Sequence, residues 1–176
     1  MHWSHTIDDR KTGWLTPTFL YRFREILTHT CFRFDIACAI YCLMPDHVHM
    51  LWHGLTPNSD QLRALTFFRK ASNQSLRRIG FQWQNQAYDR VLREKELEVN
   101  ELQTIVEYIA RNPERNGLVA ADQFASYGYS GCLLPGYPEL RLFEPDSWTR
   151  VWRALAYLKK TAVFTRLDED GNAATP

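Results

Sequence analysis

The sequence predicts an α+β fold: an antiparallel sheet with helices packed on it, followed by a C-terminal extension of loop and helix. Three observations lead there. Alternating apolar segments and segments with apolar residues at helical spacing interleave along the chain instead of segregating. The turn Met44-Pro45-Asp46 joins two consecutive strand-like runs, which makes an antiparallel hairpin. The chain has 176 residues, 45% hydrophobic and 23% charged, which suits one ordinary globular core. That composition excludes wholesale disorder, a collagen-like rod and a coiled coil.

The elements follow in order. His2 to Ile7 alternates weakly and predicts a short first strand, ended by Asp8-Asp9-Arg10. Thr16-Pro17 opens a helix over Thr18 to Thr30, with Phe19, Leu20, Phe23, Ile26 and Leu27 at helical spacing. Phe34 to Leu43 is apolar and partly β-branched and reads as a strand, and His47 to His53 alternates as its hairpin partner. Ser59 or Asp60 can cap a helix running to about Ile79, closed by Gly80. Ala87 to Arg93 reads as another strand, and Glu94 to Arg111 as a helix stopped by Asn112-Pro113. The order β-α-β-β-α-β is that of a split-βαβ, ferredoxin-like sheet.

Residues 1–120 thus form the expected main domain, and residues 121–176 an extension. Glycines and prolines make the extension loop-rich up to a helix over Ser147 to Lys160, and the chain is expected to fray from about residue 168. Trp148, Trp152, Leu155 and Leu158 form a stripe on that last helix that suits packing on the main domain.

Four cysteines, Cys31, Cys38, Cys42 and Cys132, show no CxxC pair and no disulfide-framework spacing, so reduced thiols of a cytosolic protein are expected. The longest nearly apolar run, Ile36 to Met44, is too short to span a bilayer, and no signal peptide is recognised, so no membrane partner is expected. The net charge of +1 hides an uneven distribution. Between Gln61 and Lys95 there are eight basic residues and two acidic ones, whereas the rest of the chain is acidic. Such a stretch is either a solvated helix face or a track for a polyanion, and charge does not separate the two.

The most informative segment is Met44-Pro45-Asp46-His47-Val48-His49-Met50-Leu51-Trp52. Side chains alternate along a strand, so His47 and His49 share one face while Val48, Met50 and Trp52 take the other. Two imidazoles on one face at a strand end can grip one metal ion. An isolated HxH is also compatible with an incidental pair, or with a zinc set completed by Cys38 or Cys42. A second segment, Tyr108 to Pro113, places Tyr108 and Asn112 at i and i+4 on one flank of an apolar helix stripe made by Leu102, Ile105, Val106 and Ile109. These two are either a boundary tyrosine with an asparagine helix cap, or a pair offered to a neighbouring site. A phenol with an ordinary pKa near 10 is a poor nucleophile at pH 7 and needs an activated electrophile. A phosphodiester polarised by a divalent metal is one, so the histidine pair and the tyrosine make chemical sense together.

These residues resemble a family. Met44-Pro45-Asp46-His47-Val48-His49 is similar to the HUH motif (His-hydrophobic-His) of Y1-type single-stranded DNA transposases, with Asp46 where the family often has Asn. Tyr108-Ile109, Asn112-Pro113 and Gly117-Leu118-Val119 resemble the tyrosine helix of the REP-associated tyrosine transposases, relatives of the IS200/IS605 transposases. Trp83-Gln84 and Tyr88 to Leu92 resemble that branch's connecting strand. The resemblance covers roughly residues 2–120.

It implies a metal-dependent endonuclease and strand-transferase acting on hairpin repeats in single-stranded DNA. His47, His49 and Asn112 would hold Mg²⁺ or Mn²⁺. Tyr108 would attack the scissile phosphate and form a 5′-phosphotyrosine intermediate. Arg69, Lys70, Arg77, Arg78 and Arg90 would contact the DNA backbone. A monomer with the tyrosine acting in cis is expected, a homodimer being the alternative, in a bacterial cytoplasm beside the nucleoid. Two other functions compete: a non-cleaving DNA- or RNA-binding module on the same fold, and a zinc-stabilised structural domain.

Overall fold

The computed structural model describes residues 1–85, 88–90 and 99–161. Its strands are β1 (His2–Thr6), β2 (Ile36–Leu43), β3 (His47–Gly54), β4 (Tyr88–Arg90) and β5 (Ser130–Leu133). Its helices are α1 (Pro17–Arg33), α2 (Gln61–Arg77), α3 (Val99–Ala110), the single turn α4 (Asn112–Arg115) and α5 (Ser147–Thr161). The strands form one antiparallel sheet in the order β4-β1-β3-β2-β5. The first four strands in that order are the ferredoxin-like arrangement that the sequence predicts.

Local chemistry explains where the elements begin. Pro17 supplies the fixed φ of a first helical residue, and Thr16 accepts the Phe19 N–H at 3.1 Å, so α1 starts there. Asp60 does the same for α2, accepting from the Arg63 N–H at 2.9 Å. Ser59, the other candidate cap, instead accepts from the N–H groups of Leu55 and Thr56 and donates to the Asp35 carbonyl. The second strand starts two residues later than expected, because Phe34 caps α1 and Asp35 turns the chain with φ of +51°. In the expected fourth strand, residues 88–90 are in β4 and the remainder lies outside the described residues, as does the expected start of the tyrosine helix.

The sheet has an apolar layer on each face. On one, α1 and α2 pack through Phe23, Leu27, Phe68 and Leu76 onto Trp3, Val48, Met50 and Trp52. On the other, α3 and α5 pack through Val106, Ile109, Val151 and Leu155 onto Ile40, Leu51 and Cys42. A bulge in β2 between Cys38 and Ile40 resets the alternation, so that Cys38 and Tyr41 share the first face while Ile40 and Cys42 share the second. Each layer buries side chains that favour folding by roughly 1.5–3 kcal/mol apiece, before chain entropy opposes them.

The segment expected to be loop-rich contains β5, which pairs with the outer edge of β2. Four residues including a glycine carry no legible alternation; the strand exists because an edge was open to receive it. Gly131 is fixed by contact, since a Cβ there would meet the Tyr41 Oη at 2.5 Å, and that hydroxyl accepts from Arg24 at 2.7 Å. Farther on, Trp152 of α5 meets His53 of β3 edge to face at 5.9 Å. Residues beyond 120 therefore share both the sheet and the second core layer. Among the described residues, no helix is long and apolar enough to cross a membrane.

Candidate active site

The site is built where β3 leaves its turn. Val48, Met50 and Trp52 are in the layer under α1 and α2, so the alternation of β3 turns His47 and His49 toward the side that carries α3. The two Nε2 atoms are 3.1 Å apart with the rings nearly perpendicular at 87°. Each ring is anchored through its other nitrogen. His47 Nδ1 is 2.5 Å from Asp46 Oδ1, and the second Asp46 oxygen accepts from Arg10 at 2.9 Å. His49 Nδ1 is 3.1 Å from Nε2 of His2 on β1.

The Asp46 carboxylate only accepts, so His47 Nδ1 donates to it, whereas between His49 Nδ1 and His2 Nε2 either ring can be the donor. With both protons on Nδ1, both Nε2 lone pairs are free for one ion; with one proton on Nε2, the 3.1 Å contact is a hydrogen bond between the rings. Burial, then the charges of His47, His2 and Arg115, lower the His49 pKa to about 3 against a smaller opposing effect of Asp46, so this imidazole is neutral at pH 7. Burial would raise the Asp46 carboxyl, but the hydrogen bonds and charges of His47 and Arg10 outweigh it and hold the group below its ordinary value.

The pair fits a divalent ion. Two nitrogens each about 2.1 Å from one metal, at a right angle, are about 3.0 Å apart. Nitrogen donors suit Mn²⁺ better than Mg²⁺, which favours oxygen, and two imidazoles alone bind either weakly. Among the described residues, no group of three or more His, Cys, Asp and Glu side chains is arranged to hold a metal. The zinc set conceived from the sequence is not assembled: Cys38 belongs to the opposite core layer. Cys42, although paired across the strands with His49, has its thiol pushed up to about 11 by burial and its Sγ 3.6 Å from Met44 Sδ.

Tyr108 projects from α3 toward this pair. Its ring is 49% exposed and stands edge-on to His49 with centroids 6.4 Å apart. Val106, Ile109 and Ala110 of the same helix are buried against the sheet, which fixes the angle at which Tyr108 is presented. Asn112 behaves differently from its i+4 partner. The chain leaves helical geometry at Arg111 (ψ of 4°), and Asn112 is 5% exposed. Its amide nitrogen donates to the carbonyls of Tyr108 and Ile109 at 3.2 Å each, and its Oδ1 faces Arg115 Nη2 at 3.4 Å. The asparagine therefore secures the helix end, and the expected joint presentation of Tyr108 and Asn112 on one flank is corrected by the break at Arg111.

The basic set is not brought to the histidines. Lys70, Arg77 and Arg78 line a groove of about 540 Å³ along α2 with Asn73 and Gln74, and α2 packs on the other face of the sheet. Arg69 donates to the carbonyls of Gln84 and Asn85, so it holds the chain after α2, and burial lowers its pKa. The Arg90 side chain lies outside the described residues. Two site residues were not singled out from the sequence. His2 becomes visible only through the β1–β3 register, which sets Ser4 opposite His49 and His2 beside it. Arg115 is two helical turns past Tyr108, a spacing that could have flagged it.

A family model described as IS200-like transposase matches residues 4–112. Among solved structures, the chain is similar to one described as a REP-associated tyrosine transposase bound to a REP hairpin. The TM-score is 0.61 and the identity 17%, over 73% of each chain, a likeness of fold. No curated protein matches the chain.

Proposed function

The chain belongs to the family of IS200-like transposases, and from that premise we propose that it cuts and rejoins single-stranded DNA through a phosphotyrosine made on Tyr108. The observation that carries this reading is the approach of Tyr108 to the His47–His49 pair within one chain. That approach also favours a monomer with the tyrosine acting in cis.

His47 and His49 would hold Mg²⁺ or Mn²⁺, with Asn112 Oδ1 as a third ligand through the lone pair that Arg115 does not take. The ion, when bound, supplies Lewis-acid polarisation of the scissile phosphate. The remaining work falls to the chain. Tyr108, half exposed, gives up its proton and its Oη forms a bond to phosphorus. The bond from phosphorus to the 3′-oxygen breaks, and that oxygen leaves and takes up a proton. The DNA 5′ end is then esterified to Tyr108, and a free 3′-hydroxyl can run the step backwards on the same or another strand. One phosphodiester is exchanged for another, so no nucleotide triphosphate is needed.

The proposed substrate is a DNA hairpin flanked by single strand. The hairpin held by the structurally similar transposase and the basic groove on α2 support it. The test is incubation with end-labelled hairpin oligonucleotides and Mn²⁺ or Mg²⁺, resolved on a denaturing gel. A band at the mass of protein plus DNA, absent with EDTA, is expected. Tight hairpin binding with no covalent band in either metal would favour a non-cleaving module instead.

A further inference from the structure

Arg115 lies against the proposed nucleophile, and its surroundings distinguish it from its neighbour Arg111. Arg111 is saturated: it pairs with Glu107 at 3.0 Å, Glu114 at 3.0 Å and Asp122 at 3.2 Å, and lies over Phe124. Among the described residues, no carboxylate pairs with Arg115. Its guanidinium instead lies over the Tyr108 ring with the central carbon 3.9 Å from the centroid. One nitrogen, Nη2, donates to the Tyr108 carbonyl and faces Asn112 Oδ1 at 3.4 Å. A cation over an aromatic face is a favourable contact of about 0.5–2 kcal/mol, and a second anchor on the same residue's backbone removes the freedom to slide.

We propose that Arg115 is a positioning residue for Tyr108: it clamps the phenol ring by stacking and by its backbone hydrogen bond, and keeps its charge available to an oxygen of the scissile phosphate. This deepens the function proposed above and rests on it for the phosphate contact. The clamp on the ring stands on geometry alone. A guanidinium carries five N–H donors. Here one nitrogen meets protein oxygens, and among the described residues no carboxylate neutralises the charge beside Tyr108. When the 3′-hydroxyl attacks in the return step, Tyr108 is the leaving group. A cation over its ring favours the departing phenolate as it forms.

Two measurements on the full chain decide this. The first needs neither metal nor DNA: 3-fluorotyrosine is placed at position 108 and its ¹⁹F resonance is recorded in the parent, Arg115→Lys and Arg115→Ala chains. A clamped ring gives one narrow resonance in the parent. Arg115→Ala shifts it and changes its width, and Arg115→Lys, which keeps charge but loses the planar stack, falls between. Identical spectra in all three, with unchanged melting temperatures, would overturn the clamp. The second is the single-turnover rate of covalent adduct formation on a hairpin oligonucleotide. Arg115→Ala should slow it by about a hundredfold, with hairpin affinity within about twofold of the parent and partial recovery on adding guanidinium ion. An unchanged rate, or a loss confined to affinity with no recovery, would overturn the phosphate role. Should the parent chain itself form no adduct, the proposed function and the phosphate role fail with it, while the fluorine spectra still decide the clamp.

Discussion

His47 Nε2 and His49 Nε2 face each other across 3.1 Å at the start of β3, each ring braced from behind, one by Asp46 and the other by His2. The two rings meet at the distance of an N–H···N hydrogen bond, which is also the span of two nitrogens on one ion. On the proposed function, that gap takes a divalent ion. Replacing either ring by alanine should leave the fold intact, since both are only partly buried. Adduct formation should fall by roughly a thousandfold, the loss of several kcal/mol of charge stabilisation. Rate measurements at saturating Mn²⁺ beside melting temperatures check this; a rate within tenfold of the parent would not fit a metal held by this pair.

The braces have their own signature. A hydrogen bond to the far nitrogen of a ligating histidine typically carries 10–100-fold in metal affinity. His2→Ala and Asp46→Ala should each weaken Mn²⁺ binding by about that factor. Electron paramagnetic resonance titration of free Mn²⁺ reads it without any substrate. Equal affinities in parent and variants would mean that the braces serve only the fold.

How much of this could be read beforehand depends on the range of each interaction. The shared face of His47 and His49 was legible because strand alternation is a two-residue rule, and the buried Val48, Met50 and Trp52 bear it out. The ferredoxin-like order was legible because each element carries its own periodicity. The i to i+4 pairing of Tyr108 with Asn112 runs past the helix end at Arg111, an end that Asn112-Pro113 marks in the sequence itself. His2 depended on the pairing of β1 with β3, 47 residues apart along the chain. The fifth strand depended on an open edge of β2. The basic stretch showed its charge but not its face, and the structure puts its grooved helix behind the sheet.

Acid should destabilise the protein through two buried histidines outside the His47–His49 pair. Burial, then the charge of Arg69, lowers the His5 pKa to about 3, and burial, then the N-terminal ammonium and Lys159, does the same for His53. His5 lies between Phe68 and Trp83, and among the described residues neither of its nitrogens has a hydrogen-bond partner. The unfolded chain takes up a proton on each near pH 6.5, whereas the folded one does so only near pH 3. Between those values the unfolded state binds more protons, so stability rises with pH across the window and is lost as pH falls through it. Each histidine adds about 1.4 kcal/mol per pH unit to that slope. Urea unfolding from pH 4 to 7 should show it, and His5→Phe should flatten it by one histidine's share; an unchanged slope would mean His5 is not neutral in the fold.

If the α2 groove follows a DNA backbone, its charges will appear in the salt dependence and not in the chemistry. Replacing Lys70, Arg77 and Arg78 together by glutamine should weaken hairpin binding at low salt. The slope of log affinity against log salt should become shallower by about two. Adduct formation at saturating DNA should hold within a few-fold. A parent-like slope would make the stretch a solvated helix face.

The central claim is that Tyr108 carries the DNA. The most direct measurement is to trap the protein–oligonucleotide adduct with Mn²⁺, digest both partners, and locate the nucleotide by tandem mass spectrometry. The account predicts a 5′-phosphodeoxynucleotide on Tyr108, and no adduct from Tyr108→Phe. A nucleotide on any other residue, or an adduct that survives Tyr108→Phe, would contradict it.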